Sequence, residues 1–169
     1  DLGLGGSLFQ NTLKRVQNAL LFDKPVVVCS AKHESIVRMQ AEEIGVELAQ
    51  IICEPFGRNT AAAITLPLLA DTNTENKLVL VLPSDHKIED TQQFQSDVIA
   101  ARNTATEARR LVLFGIRPNA LETGFGYVRS GETIGFSQSR EIVEFVDTNA
   151  KERLEAAVVT HGKLEREEA

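Results

Sequence analysis

The chain has 169 residues, 43% hydrophobic and 25% charged, which suits one water-facing globular domain with a real core. A net charge of −6 argues against a general nucleic-acid binder, whose phosphate contacts need clustered cations. Cys29 and Cys53 sit in apolar runs without metal-ligand spacing and read as reduced core thiols. With no apolar stretch of spanning length and no secretory leader pattern, no membrane partner is expected and the cytoplasm is the expected location.

In chain order, Ser7-Leu8-Phe9-Gln10 has the form of a capping box, opening a helix whose apolar face is Phe9, Leu13, Val16 and Leu20. Pro25 introduces a buried strand at Val26–Cys29. Ser30 can cap a second helix and Gly45 can stop it. A strand from Leu48 to Cys53 runs into a turn at Pro55-Phe56-Gly57, after which Asn59 or Thr60 caps an alanine-rich helix, kinked or ended near Pro67. Leu78–Leu82 is a fully apolar strand. A helix from Asp90 or Thr91 to about Arg109 precedes another buried strand, Leu111–Ile116. Glycines then punctuate two short strands, around Tyr127-Val128-Arg129 and Ile142–Val146, and the charged tail from Lys151 is expected to be helical. This alternation predicts an open, mostly parallel α/β sheet with helices on both faces, forming a single domain over 1–169.

Ligands of such sheets sit beyond the carboxyl ends of the strands, and three segments there carry unusual residues. Glu54-Pro55-Phe56-Gly57-Arg58-Asn59-Thr60 is a glycine turn feeding a helix start, where outward N–H groups can meet an anion or a base carbonyl. Glu54 could accept from both the N1–H and the exocyclic amine of guanine, a pair adenine does not offer. By composition alone, a plain capped connection explains the segment better. In Pro83-Ser84-Asp85-His86 an acid just past a buried strand suits Mg²⁺, which takes one or two carboxylates plus substrate phosphates. A turn organised by Asp85 explains it equally well. In Glu122-Thr123-Gly124-Phe125-Gly126-Tyr127 the glycines allow close backbone approach to a ligand and the glutamate could bind sugar hydroxyls, although a hairpin turn explains the pair more simply.

Together and in this order the three segments resemble the bacterial mannose-1-phosphate guanylyltransferases. The family's Glu-Pro-x-Gly-Arg-Asn-Thr-Ala block matches Glu54 to Ala61, and its Pro-Ser/Ala-Asp-His block matches Pro83 to His86. Its Phe-Gly-Ile…Glu-Thr-Gly-Tyr-Gly-Tyr block matches Phe114-Gly115-Ile116 and Glu122 to Tyr127, with Phe125 in place of a tyrosine. The resemblance covers roughly Ser7 to Val146. It implies a Rossmann-like nucleotidyltransferase fold that joins GTP to mannose 1-phosphate with Mg²⁺ and releases pyrophosphate. It places Glu54, Gly57, Arg58, Asn59 and Thr60 near the nucleotide, Asp85 on the metal, and Glu122, Gly124 and Asp147 near the sugar.

The departures bear on activity. The family's glycine-rich phosphate loop and the lysine segment after it have no counterpart in the sequence, and Thr148 stands where the family has its sugar-phosphate lysine. A truncated sheet is therefore expected, with a slot beside the Val26 or Leu78 strand that is unfilled, rearranged or filled by a neighbouring chain, and a tendency to self-associate. No catalytic residue is assigned, and the isolated chain is expected to be impaired. The rival expectations are a nucleotidyltransferase for another sugar 1-phosphate and a non-catalytic nucleotide-binding or subunit-interaction homologue.

Overall fold

A computed structural model describes residues 5–57, 59–70, 77–116, 126–134, 139–146 and 164–167. The chain divides into two compact units, Asp1–Thr91 and Gln92–Ala169.

In the first unit, helix α1 spans Leu8–Arg15. The capping box is formed as expected: Gln10 N donates to Ser7 Oγ and Ser7 N donates to Gln10 Oε1, both at 3.0 Å. The predicted apolar face is shorter than the spacing suggested. The helix stops at Arg15, Val16 is its C-cap, and Leu20 is 93% exposed. What α1 buries is Leu13 together with the polar Gln10, Thr12 and Arg15.

Strand β1 (Val26–Ser30) leads through a 3₁₀ turn, Ala31–His33, into helix α2 (Glu34–Glu43). Ser30 is the N-cap of the 3₁₀ turn without a side-chain cap bond. Gly45 ends α2 as expected. With φ at 68° it occupies the left-handed region, its N–H reaches Glu42 O, and Val46 N–H reaches Ala41 O. This is the paired bonding of a Schellman motif. α1 and α2 meet through Ser7 Oγ, which donates to Gln40 Oε1 at 2.6 Å, and Gln10 Nε2, which donates to Gln40 O and to Glu43 Oε2. The buried apolar residues here are Leu13, Val37 and Ala41.

Strand β2 (Gln50–Glu54) pairs with β1 in parallel, from Val26 opposite Gln50 to Ser30 opposite Glu54. Helix α3 (Asn59–Ala70) follows and packs on both strands. It runs three residues past Pro67. Asn59 has φ at 65°, a conformation asparagine tolerates better than most residues.

Two predicted strands do not form. Leu78–Leu82 and Leu111–Gly115 carry no ladder among the described residues, and Ile116 makes only an isolated bridge. Among the described residues β1 likewise pairs on one edge only, toward β2. A strand exists through its neighbour's hydrogen bonds, so apolar β-branched sequence without an adjacent edge stays merely extended. Leu78, Val79, Val81 and Leu111 are accordingly exposed, the last at 98%.

In the second unit, helix α4 (Thr91–Ala108) precedes strands β3 (Gly126–Thr133), β4 (Arg140–Val146) and β5 (Leu164–Glu167), in sheet order β4-β3-β5 and antiparallel throughout. β3 and β4 enclose the two short strands expected from the sequence. The described part of the tail, β5, is a strand and not the expected helix, because β3 offers a backbone edge to pair with, Gly126 opposite Glu167 through Arg129 opposite Leu164. Phe94, Tyr127 and Val128 are the buried apolar residues, and Thr104 Oγ1 lies 2.7 Å from Ser139 Oγ. Arg129 pairs with Glu144 across the β3–β4 ladder.

The pairings described are thus one parallel sheet and one antiparallel sheet with helices, an α/β arrangement. No described helix is long and apolar enough to cross a membrane.

Candidate nucleotide and metal site

β2 ends on Glu54, and the chain then turns through Pro55, Phe56 and Gly57 toward α3. Parallel strands deliver their carboxyl ends to one edge of the sheet, so Ser30 and Glu54, opposite each other in register, share it. Glu54, Pro55, Phe56, Ala62, Thr65 and Leu66 line an open cleft of about 350 Å³. The lining is largely apolar. Thr65 turns its hydroxyl back to Ala61 O at 2.7 Å, and Phe56 stands 74% exposed at the rim. The Glu54 carboxylate is half-buried and makes no hydrogen bond or ion pair among the described residues. An open, largely apolar cleft that has Glu54 among its lining residues is compatible with a planar base. The volume suits a base rather than a whole nucleotide.

Asn59 and Thr60 are exposed at the opening of α3, one residue beyond Arg58, which lies outside the described residues. Gly57 is exposed, and a side chain there would meet nothing within 4 Å, so this turn does not demand glycine for lack of space.

Behind the cleft, Cys29 and Cys53 are register partners on β1 and β2 and both are free thiols. They are half-buried, less covered than the sequence suggested. Cys53 Sγ donates to Glu34 Oε2 at 3.6 Å, and Glu34 also accepts from Arg38 at 3.0 Å. Burial, then the adjoining Cys53 thiol and the Glu34 and Glu54 carboxylates, push the Cys29 thiol above its ordinary pKa. The raised value leaves less thiolate at neutral pH, and the thiolate is the nucleophile. Iodoacetamide should therefore modify Cys29 more slowly than free cysteine, with the pH–rate midpoint displaced upward. Mass-spectrometric rates for the peptide that carries Cys29, taken in the native chain, measure this, and a midpoint at or below that of free cysteine would contradict it.

Asp85 lies in a turn after the extended Leu78–Leu82 segment, exposed and without a hydrogen bond or ion pair among the described residues. Two residues on, Lys87 pairs with Glu89 at 2.6 Å, and that bond lowers the Glu89 pKa. No group of three or more His, Cys, Asp or Glu side chains among the described residues could hold a metal ion. One outward carboxylate fits a hard cation that takes most of its ligands from phosphate and water, and does not fit a protein-caged ion.

Glu122, Gly124 and Asp147, the expected sugar contacts, lie outside the described residues. The motif that contains the first two ends on Tyr127, which is 1% exposed within β3. That position serves the core. The sequence reading passed over Arg15. It is 4% exposed, and its Nη1 donates to the backbone carbonyl of His86 at 3.2 Å. An arginine beside the expected apolar face of a short helix was the available signal, but only the fold shows what it reaches.

The parallel β1–β2 pair puts Glu54 at its carboxyl edge, where ligands of open α/β sheets sit. The chain belongs to the nucleotidyl transferase family, whose profile matches residues 2–160. It is 42% identical over 131 residues to a mannose-1-phosphate guanylyltransferase of Sinorhizobium fredii, covering 76% of this chain and 25% of that protein. Among solved structures, a Helicobacter pylori protein described as mannose-6-phosphate isomerase superimposes with a TM-score of 0.79 at 27% identity, over 95% of this chain and 59% of that one. A Thermus thermophilus protein described as mannose-1-phosphate geranyltransferase gives 0.77 at 27% identity, over 94% and 45%. The fold is therefore the Rossmann-like nucleotidyltransferase fold expected from the motifs. The chain spans about a quarter of the Sinorhizobium relative's length.

Proposed function

We propose that the protein carrying this chain transfers GMP from GTP to mannose 1-phosphate, giving GDP-mannose and pyrophosphate. The observation that carries the reading is Glu54, which lines an apolar cleft at the carboxyl edge of β1 and β2 and whose carboxylate makes no hydrogen bond or ion pair among the described residues. In this reading Glu54 accepts from the guanine N1–H and amine, while Gly57, Arg58, Asn59 and Thr60 border the nucleoside. Asp85 holds Mg²⁺ together with phosphate oxygens, and Glu122, Gly124 and Asp147 contact the mannose. When bound, Mg²⁺ supplies charge stabilisation to the phosphates. The side chains of this chain orient the two substrates, and positioning with electrostatics is what this chemistry chiefly needs.

We read residues 1–169 as a single, partial nucleotidyltransferase domain, working in the cytoplasm as a homo-oligomer joined through unpaired sheet edges. The isolated chain is a poor catalyst in this reading, since Thr148 replaces the lysine expected there. The same residue favours the second reading, a homologue that binds nucleotide without turning it over. Identity of the sugar phosphate rests on the relatives' names.

Asp85→Ala tests the metal assignment. In Mg²⁺ the variant chain should bind a fluorescent GTP analogue at least about tenfold more weakly than the native chain, while in EDTA the two should bind alike. The same Mg²⁺ dependence in both proteins would remove Asp85 from the site.

A further inference from the structure

Helix α1 ends on a cation taken out of water. Arg15 is 4% exposed and neighbouring Thr12 is 6% exposed. Burying a guanidinium costs stability unless its donors are satisfied, and desolvation here lowers the Arg15 pKa. An arginine stays charged even so. Two of its donors, Nη1 and Nη2, have targets among the described residues. One is Thr12 Oγ1, one turn back on the same helix. The other, at 3.2 Å, is the carbonyl of His86, far along the chain. Thr12 takes one arm of the fork, and the other arm reaches a backbone carbonyl. A charge-assisted bond of this kind is roughly twice as strong as a neutral one.

The carbonyl it fixes belongs to the residue directly after Asp85. Asp85 itself sits exposed in a turn. Neither Leu78–Leu82 before it nor Lys87–Asp90 after it is in a ladder or helix among the described residues. A carboxylate on such a stretch would sample many directions, whereas a metal ligand must be held near one. We propose that Arg15 is a positioning residue, which from the end of α1 holds the turn that presents Asp85. The proposal rests on the reading of Asp85 as the metal carboxylate.

The test uses the 169-residue chain as Arg15→Met, which keeps most of the stem and removes the fork, and as Arg15→Lys. Lysine retains the charge but is a point donor without the planar fork, so it should rescue only in part. Hydrogen exchange at Ser84–Lys87 should quicken in Arg15→Met, with β1 and β2 unchanged. Binding of Mn²⁺ in the presence of GTP, followed by electron paramagnetic resonance, should weaken about 10–100-fold, the range seen when residues that orient a metal ligand are lost. Arg15→Lys should fall between.

Unchanged exchange at Ser84–Lys87 overturns the tether. So does faster exchange spread evenly over α1, β1 and β2, which would mark Arg15 as a general stabiliser. Loosened exchange at the turn with native Mn²⁺ affinity overturns the positioning role. Asp85→Ala is the control. If it too leaves Mn²⁺ binding intact, the metal reading of Asp85 fails, and the exchange comparison still decides whether Arg15 holds the turn.

Discussion

Glu54→Gln should cut the preference of the site for guanosine over adenosine nucleotides by roughly tenfold to a hundredfold, the worth of one hydrogen bond to a charged group. The carboxylate offers two acceptors. Glutamine keeps one and turns an NH₂ donor toward one of the guanine donors, so a bond is lost and a donor–donor contact replaces it. Stability should hardly move, because Glu54 makes no hydrogen bond or ion pair among the described residues and the swap is nearly isosteric. Displacement of a fluorescent GTP analogue by GTP and by ATP measures the ratio, and urea unfolding of the same samples measures stability. Equal discrimination by both proteins would assign Glu54 to the fold alone. A loss of GTP affinity matched by a loss of stability would say the same.

Tyr127→Ala should destabilise the unit Gln92–Ala169 by about 3–5 kcal/mol, the usual cost of deleting a buried ring. Tyr127 is 1% exposed, the largest fully buried side chain described. It lies on β3, the central strand between β4 and β5, opposite Val146 on one side and Arg166 on the other. A cavity there loosens both ladders. Native domains hold only about 5–15 kcal/mol in total, so the loss is a large share. Tyr127→Phe, which keeps the ring, should cost far less. Urea titration followed by exchange at Val128 and Phe145 reads the effect on this unit. A change below about 1 kcal/mol in Tyr127→Ala would show that the ring's burial contributes little.

Tyr127 also illustrates how a motif can mislead. Within Glu122-Thr123-Gly124-Phe125-Gly126-Tyr127 it stands beside residues read as sugar contacts, yet its side chain belongs to the packing of a sheet. A motif records which residues occur together. It does not separate those that face a ligand from those that hold the strand beneath.

The features legible without a structure were those whose partners lie within a few residues. Ser7 and Gln10 cap one another across three positions. Gly45 ends α2 because the left-handed turn is cheap only for a residue without a side chain. Val26–Cys29 and Leu48–Cys53 announce themselves as strands by β-branched runs, each within two residues of the observed bounds. Tertiary structure decided whatever depends on a distant neighbour. Leu78–Leu82 and Leu111–Gly115 have the composition of strands and find no adjacent edge among the described residues. Leu164–Glu167 has the charge of a solvated tail and is a strand because β3 is there to pair with it. The bond from Arg15 to the carbonyl of His86 spans most of the first unit. No local pattern encodes it, because the energy that selects it comes from burying a charge that only the folded chain can satisfy.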